Sequence, residues 1–170
     1  MIQAQIYGDR ITSNSSEAFS LYEKSRFGEK KNGKIEYSPA EALFLAQKNK
    51  LKVSQNKKAL EFDSLLTKLK KIDKRIETKL PVFEHLRSRG YVLKTALKFG
   101  ADFRAYRKGT KPGEDHALWI IFCVKESENH SWYDFAAKNR VAHSAKKKLL
   151  IGVVDDEDSV TFYEVSWLKP

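Results

Sequence analysis

The run ALWIIFCVK, Ala117 to Lys125, is apolar at every position before its terminal lysine. A strand with one wet face alternates polar and apolar residues. A strand without that alternation must be covered on both faces, and this constrains the fold more than any other feature of the chain. LLIGVV, Leu149 to Val154, repeats the pattern. At 170 residues and 41% hydrophobic content, the chain can bury a core of this kind in one domain or two small ones.

The flanking sequence supplies the rest of that sheet. FEHLRSRGY reads as a short helix stopped at Gly90, followed by strands in YVLKTAL and DFRAYR. Ser131 with Asp134 three residues on opens a helix running to about Lys148. DDEDS turns the chain from LLIGVV into the last strand, VTFYEVSW. The result is a mixed sheet with a helix packed on it.

The first half reads differently. IQAQIYGDRIT gives two strands about a Gly-Asp turn, and Asn14 with Glu17 caps a helix through Tyr22. RFGEKKNGKIEY is a hairpin turned at Asn32-Gly33. SPAE combines a cap at Ser38, proline at the first helical position and Glu41 reaching back; Ala42, Leu43, Leu45 and Ala46 form the buried side. LKV follows as a strand. From Ser54 to about Lys79, Leu60, Phe62, Leu65, Leu66, Leu69, Ile72 and Ile76 recur at helical spacing, which predicts one long amphipathic helix. The pattern breaks at Leu80-Pro81. The expected class is therefore α+β, with a small basic N-terminal α+β domain over 1–82 and a mixed-sheet C-terminal domain over 83–170.

The net charge of +10 favours a polyanionic partner, since each neutralised phosphate releases a counterion. The excess is concentrated before Val82, whereas DDED lies late in the chain. One cysteine, Cys123, sits inside the apolar run, so neither a disulfide framework nor a cysteine-based zinc site is expected. His85, His116, His130 and His143 show no HxxxH or HExxH spacing, and the expectation is no metal and no cofactor. No signal peptide or membrane-length apolar run is present, which predicts a soluble cytoplasmic protein with no membrane partner.

Chemistry is concentrated in FRAYRKGTKPGEDHALWIIF. Alternation puts Tyr106 with Asp102 and Arg104, off the Phe103/Ala105 face and toward solvent. The loop of Gly109, Pro112 and Gly113 returns the chain so that Tyr106 and His116 face each other across its mouth. In NRVAHSAKKK, Arg140 and Lys147 are seven apart and share one face of the expected helix. Tyrosine, histidine and lysine form a coherent set for RNA cleavage through the 2′-hydroxyl. Histidine suits the acid that protonates the leaving oxygen, and lysine stabilises the phosphorane. Tyrosine as base needs cations to lower a pKa near 10, and Arg140 and Lys147 are candidates for that work. Taken singly, each of these features also fits a polar hairpin or a solvated basic helix end.

RGYVLKTALKFGADFRAYRKG and PGEDHALWIIFCV, followed by NRVAHSAKKKLLIGVVDDEDSVTFYEVSW, closely resemble the catalytic domain of tRNA-splicing endonucleases. RFGEKKNGKIEYSPAEALFLAQKNKLKV resembles the same family's N-terminal domain. The resemblance implies a restriction-endonuclease-like nuclease domain and a metal-independent endonuclease excising introns from precursor tRNA at bulge–helix–bulge motifs. Its products are a 2′,3′-cyclic phosphate and a 5′-hydroxyl. It implies a catalytic triad of Tyr106, His116 and Lys147, with a slip to Lys146 or Lys148 left open by the lysine run. Arg140 and Trp167 correspond to the pair that sandwiches a bulged RNA base. Asp155, Asp156, Glu157 and Asp158 fall where relatives carry an acidic loop that docks on a neighbouring subunit. The implied assembly is a homotetramer, or a heterotetramer with a structural subunit. A non-catalytic RNA-binding subunit of the same assembly is the alternative. A metal-dependent nuclease needs an acidic cluster ending in E-x-K, and the triplet Glu29-Lys30-Lys31 lies in the first-half hairpin.

Overall fold

The protein is described by a computed structural model covering residues 1–168. The chain divides into two compact units, Met1–Leu80 and Pro81–Pro170.

The first unit is built on a six-stranded sheet. β1 (Ile2–Tyr7) and β2 (Arg10–Ser13) form the opening hairpin, and β3 (Glu29–Lys31) and β4 (Lys34–Tyr37) form the second. Asn32 and Gly33 both take positive φ, as a tight hairpin demands of its two central residues. β5 (Leu51–Gln55) runs parallel to β1, and β6 (Lys58–Ala59) pairs with β5, giving the order β3-β4-β2-β1-β5-β6. α1 (Ser16–Ser25) is capped by Ser15, whose side chain accepts the Ala18 N–H. The cap therefore stands one residue beyond the expected Asn14. α2 (Pro39–Gln47) begins with the Ser38–Glu41 capping box. The buried Glu41 carboxylate also accepts the Gly28 N–H at 2.8 Å, so the box ties the helix start to the second hairpin.

The long helix expected over 54–79 is not present. Its first residues belong to the β5–β6 hairpin, turned by Asn56 and Lys57 at positive φ, and α3 covers only Phe62–Ile72. Asp73 ends α3 in an extended conformation. Its carboxylate accepts the Arg75 N–H and pairs with Lys79, starting α4 (Ile76–Ser88). The apolar spacing is helical on both sides of Asp73, so periodicity alone cannot detect the break. Pro81 lies inside α4 and does not stop it.

The second unit is a five-stranded mixed sheet in the order β11-β10-β9-β8-β7. β7 (Val92–Ala96), β8 (Ala101–Tyr106) and β9 (Trp119–Lys125) are antiparallel neighbours; α5 (Trp132–Ser144) crosses over to β10 (Lys148–Val154), parallel to β9; β11 (Val160–Val165) closes the sheet antiparallel to β10. Ile120 to Val124 are all buried, as the unbroken apolar run requires. Helices cover both faces. Phe83 and His85 of α4 meet Phe103 and Phe162 with ring centroids 5.5 and 4.8 Å apart. A Cβ on Gly152 would come within 2.8 Å of Val82. On the opposite face Ala142 of α5 packs with Ile120, Phe122 and Leu149.

Candidate active site at one end of the sheet

Backbone register brings the three sequence candidates to the same end of this sheet. Ala105 of β8 stands opposite Trp119 of β9, and Lys148 of β10 stands beside Trp119. The ladder continues outward by one step. Leu118 donates its N–H to the Ala105 carbonyl at 2.7 Å and accepts from the Lys148 N–H at 3.1 Å. Tyr106 and Lys147 are the next residues on either side of Leu118. With strands about 4.8 Å apart, their backbones are about 10 Å from each other. His116 belongs to the segment that enters β9 between them. Its neighbour Ala117 is buried in a small cluster with Tyr106 and Val92, and His116 itself is exposed.

Tyr106 is not solvent-facing as alternation alone predicts. It is 4% exposed, because Val92 opposite it and Ala117 beyond it close over the ring. The returning loop is organised by local hydrogen bonds. Thr110 donates both its N–H and its hydroxyl to the Arg107 carbonyl, and Lys111 accepts from the Glu114 and Asp115 N–H groups.

The expected helix to Lys148 stops at Ser144, so Arg140 and Lys147 do not share a helical face. Ala145 is the cap, and Lys146 takes the left-handed conformation at φ 55°. The Lys146 N–H donates to the His143 carbonyl and the Lys147 N–H to the Ala142 carbonyl, both at 2.9 Å. This paired closure ends helices by turning the chain sharply. It delivers Lys147 to the sheet end, half-buried, with its ammonium donating to the Ala145 carbonyl at 3.0 Å. Lys148 points elsewhere: it pairs with Glu164 at 2.6 Å, and Glu164 also accepts the Trp119 indole N–H. These two partners hold the Glu164 carboxyl below the usual carboxylate range.

Arg140 is exposed on α5 and, with Lys98, Phe99 and Ser144, lines an open groove of about 540 Å³. Trp167 lies beyond the end of β11, half-exposed, with its ring edge-on to His143 at 4.5 Å between centroids. His143, which meets the indole, and Arg140 stand three residues apart on α5. Among the acidic residues, Asp155 is committed to its own turn, where its carboxylate accepts the Glu157 and Ser159 N–H groups. Asp156, Glu157 and Asp158 are exposed.

One neighbour of Tyr106 has no place in the sequence-derived triad. The Arg104 guanidinium carbon is 5.8 Å from the Tyr106 ring centroid. The two-residue period of a strand had already put both side chains on one face. Among the described residues, no group of three or more His, Cys, Asp and Glu side chains is gathered to hold a metal ion, and no helix is long and apolar enough to cross a membrane.

Residues 76–162 match the family model of the tRNA intron endonuclease catalytic C-terminal domain, and residues 2–66 match that of its N-terminal domain. The chain is 38% identical over 169 residues to the tRNA-splicing endonuclease of Thermococcus onnurineus, covering 99% of this chain and 97% of the relative. It is 37% identical, with the same coverage, to that of Pyrococcus horikoshii. The tRNA-splicing endonuclease of Nanoarchaeum equitans is 43% identical over 136 residues, covering 76% of this chain and 87% of the relative.

Proposed function

This chain belongs to the tRNA intron endonuclease family, and on that premise we propose that it is a catalytic subunit that excises introns from precursor tRNA at bulge–helix–bulge motifs. The observation that carries the reading is the convergence of Tyr106, His116 and Lys147 at one end of three adjacent strands, joined by the Leu118 hydrogen bonds and the Ala117–Tyr106 packing.

In this reading Tyr106 takes the proton from a ribose 2′-hydroxyl, whose oxygen attacks the adjacent phosphorus. Charge accumulates on the non-bridging oxygens of the phosphorane, and the Lys147 ammonium offsets it. The bond from phosphorus to the 5′-oxygen breaks as His116 gives that oxygen a proton. The products are a 2′,3′-cyclic phosphate and a 5′-hydroxyl. Atoms balance without water or metal, and DNA is not a substrate because it lacks the attacking hydroxyl. Arg140 and Trp167 flank a bulged base by stacking and cation–π attraction. Four subunits, identical or two catalytic and two structural, place two active sites at the two bulges, with the exposed Asp156, Glu157 and Asp158 as contacts between subunits.

The test is incubation of the purified chain with end-labelled bulge–helix–bulge RNA in excess EDTA, followed by analysis of the fragment ends. Cleavage at both bulges with cyclic-phosphate ends is expected. Cleavage abolished by EDTA and restored by magnesium, or 5′-phosphate ends, overturns the mechanism.

A further inference from the structure

Tyrosine is a poor base near neutral pH unless its phenolate is stabilised, because its reference pKa is near 10. The sheet supplies a cation on the same strand and the same face. Arg104 is half-buried, its guanidinium carbon is 5.8 Å from the Tyr106 ring centroid, and its Nε is buried with no hydrogen-bond partner among the described residues. A partly desolvated guanidinium with an unsatisfied N–H is costly unless a negative charge develops nearby. Across the ladder, its register partner is another cation, the 6%-exposed Lys94. Like charges directly opposite each other on a sheet are destabilising.

We infer that Arg104 is a positioning residue for Tyr106, holding the ring and stabilising the phenolate through which Tyr106 accepts the 2′-hydroxyl proton. This rests on the proposed role of Tyr106. The charged and titratable groups around that end of the sheet are mostly cationic. Lys94 lies on β7; Arg107 and Lys108 follow β8; His116 precedes β9; Arg140 and His143 lie on α5, and Lys147 precedes β10. The carboxylates there are Asp102 on the same strand, engaged by the Cys123 N–H at 2.8 Å, Glu164 of β11, paired with Lys148, and the exposed Glu114 and Asp115 just before His116. Arg104 is thus one cation among several. It is distinguished by its contact with the ring and by the desolvation that makes its field act over a short distance.

The experiment measures single-turnover cleavage of the bulge–helix–bulge RNA against pH for the full chain, Arg104→Met, Arg104→Lys and Tyr106→Phe, with thermal melts of each. Arg104→Met is expected to move the basic-group limb of the profile to higher pH by about one unit. That is about tenfold in rate at neutral pH, recovered as the pH rises, with substrate affinity unchanged. Arg104→Lys restores much of the loss. A uniform loss at every pH, a change confined to affinity, or an unaltered profile overturns the inference while leaving the Tyr106 assignment standing. Full activity of Tyr106→Phe overturns that assignment and this inference with it. If Arg104→Met does not fold, the Arg104→Gln profile takes its place, and an unaltered limb there counts against the proposal.

Discussion

The Lys147 N–H donates to the Ala142 carbonyl at 2.9 Å, five residues back, and this bond decides which lysine of the AKKK run reaches the sheet end. Lys146 is consumed by the left-handed turn and Lys148 by Glu164. Lys147→Ala is expected to reduce cleavage by about 10²–10³-fold, the usual worth of a transition-state charge donor. Lys148→Met should cost little activity and less than about 1 kcal/mol of stability, since its ion pair is solvent-exposed. Lys146→Gly should stabilise the unit by about 0.5–1 kcal/mol, because glycine adopts positive φ without a Cβ penalty. Cleavage rates and melting temperatures of the three variants separate the roles. A larger activity loss at Lys148 than at Lys147 would reverse the assignment.

His116 stands on the segment whose Ala117 packs against Tyr106, so its replacement should leave the fold intact. His116→Ala is expected to lower cleavage by about 10²–10⁴-fold while RNA binding persists. The acid role has a chemical signature. A substrate with sulfur in place of the bridging 5′-oxygen needs no proton on leaving, so the variant should cleave it at close to the unmodified protein's rate. Failure of that rescue, with binding intact, removes His116 from the acid role.

What could be read from the sequence depended on how local its cause was. The Ser38–Glu41 capping box and the Asn32-Gly33 turn need only adjacent residues, and both form as the sequence reading expects. The buried character of β9 followed from its unbroken apolar run. The helix over 54–79 failed because Asp73 breaks the chain without breaking the apolar spacing. The end of α5 was missed because its C-terminal turn uses a lysine at positive φ, where glycine is the usual signal. Tyr106 has the face that alternation assigns it, but its burial depends on Val92 and Ala117, distant in sequence and joined to it only by the fold. The role of Arg104 was legible as parity and invisible as contact.

The four acidic residues of the β10–β11 turn separate into two kinds. Asp155 accepts two backbone N–H groups at 2.9 and 2.8 Å and is part of the turn itself. Asp155→Ala should therefore cost about 1–2 kcal/mol of stability, read from urea unfolding. The exposed Asp156, Glu157 and Asp158 make no such demand on the fold. Their combined replacement by Asn, Gln and Asn should leave the melting temperature near that of the unmodified chain and shift sedimentation to a smaller species. A triple variant with unchanged mass would dismiss the turn as a subunit contact.

His85 links the second unit's stability to pH. Its ring packs on Phe162, and burial, assisted by the Arg89 charge, pushes its pKa below the ordinary histidine value. Below about pH 6.5 the unfolded chain binds a proton that the folded chain resists, so unfolding takes up a proton. Stability is then expected to fall as the pH drops from about 6.5 toward the depressed folded value, and to become insensitive to His85 below it. His85→Leu keeps an apolar contact for Phe162 and removes the titration. Urea midpoints measured at about pH 7.5 and about pH 5.5 should fall less on acidification in this variant than in the unmodified protein. An equal fall in both would show that His85 retains its ordinary affinity for protons in the folded state, and that the acid sensitivity of the unit has another source.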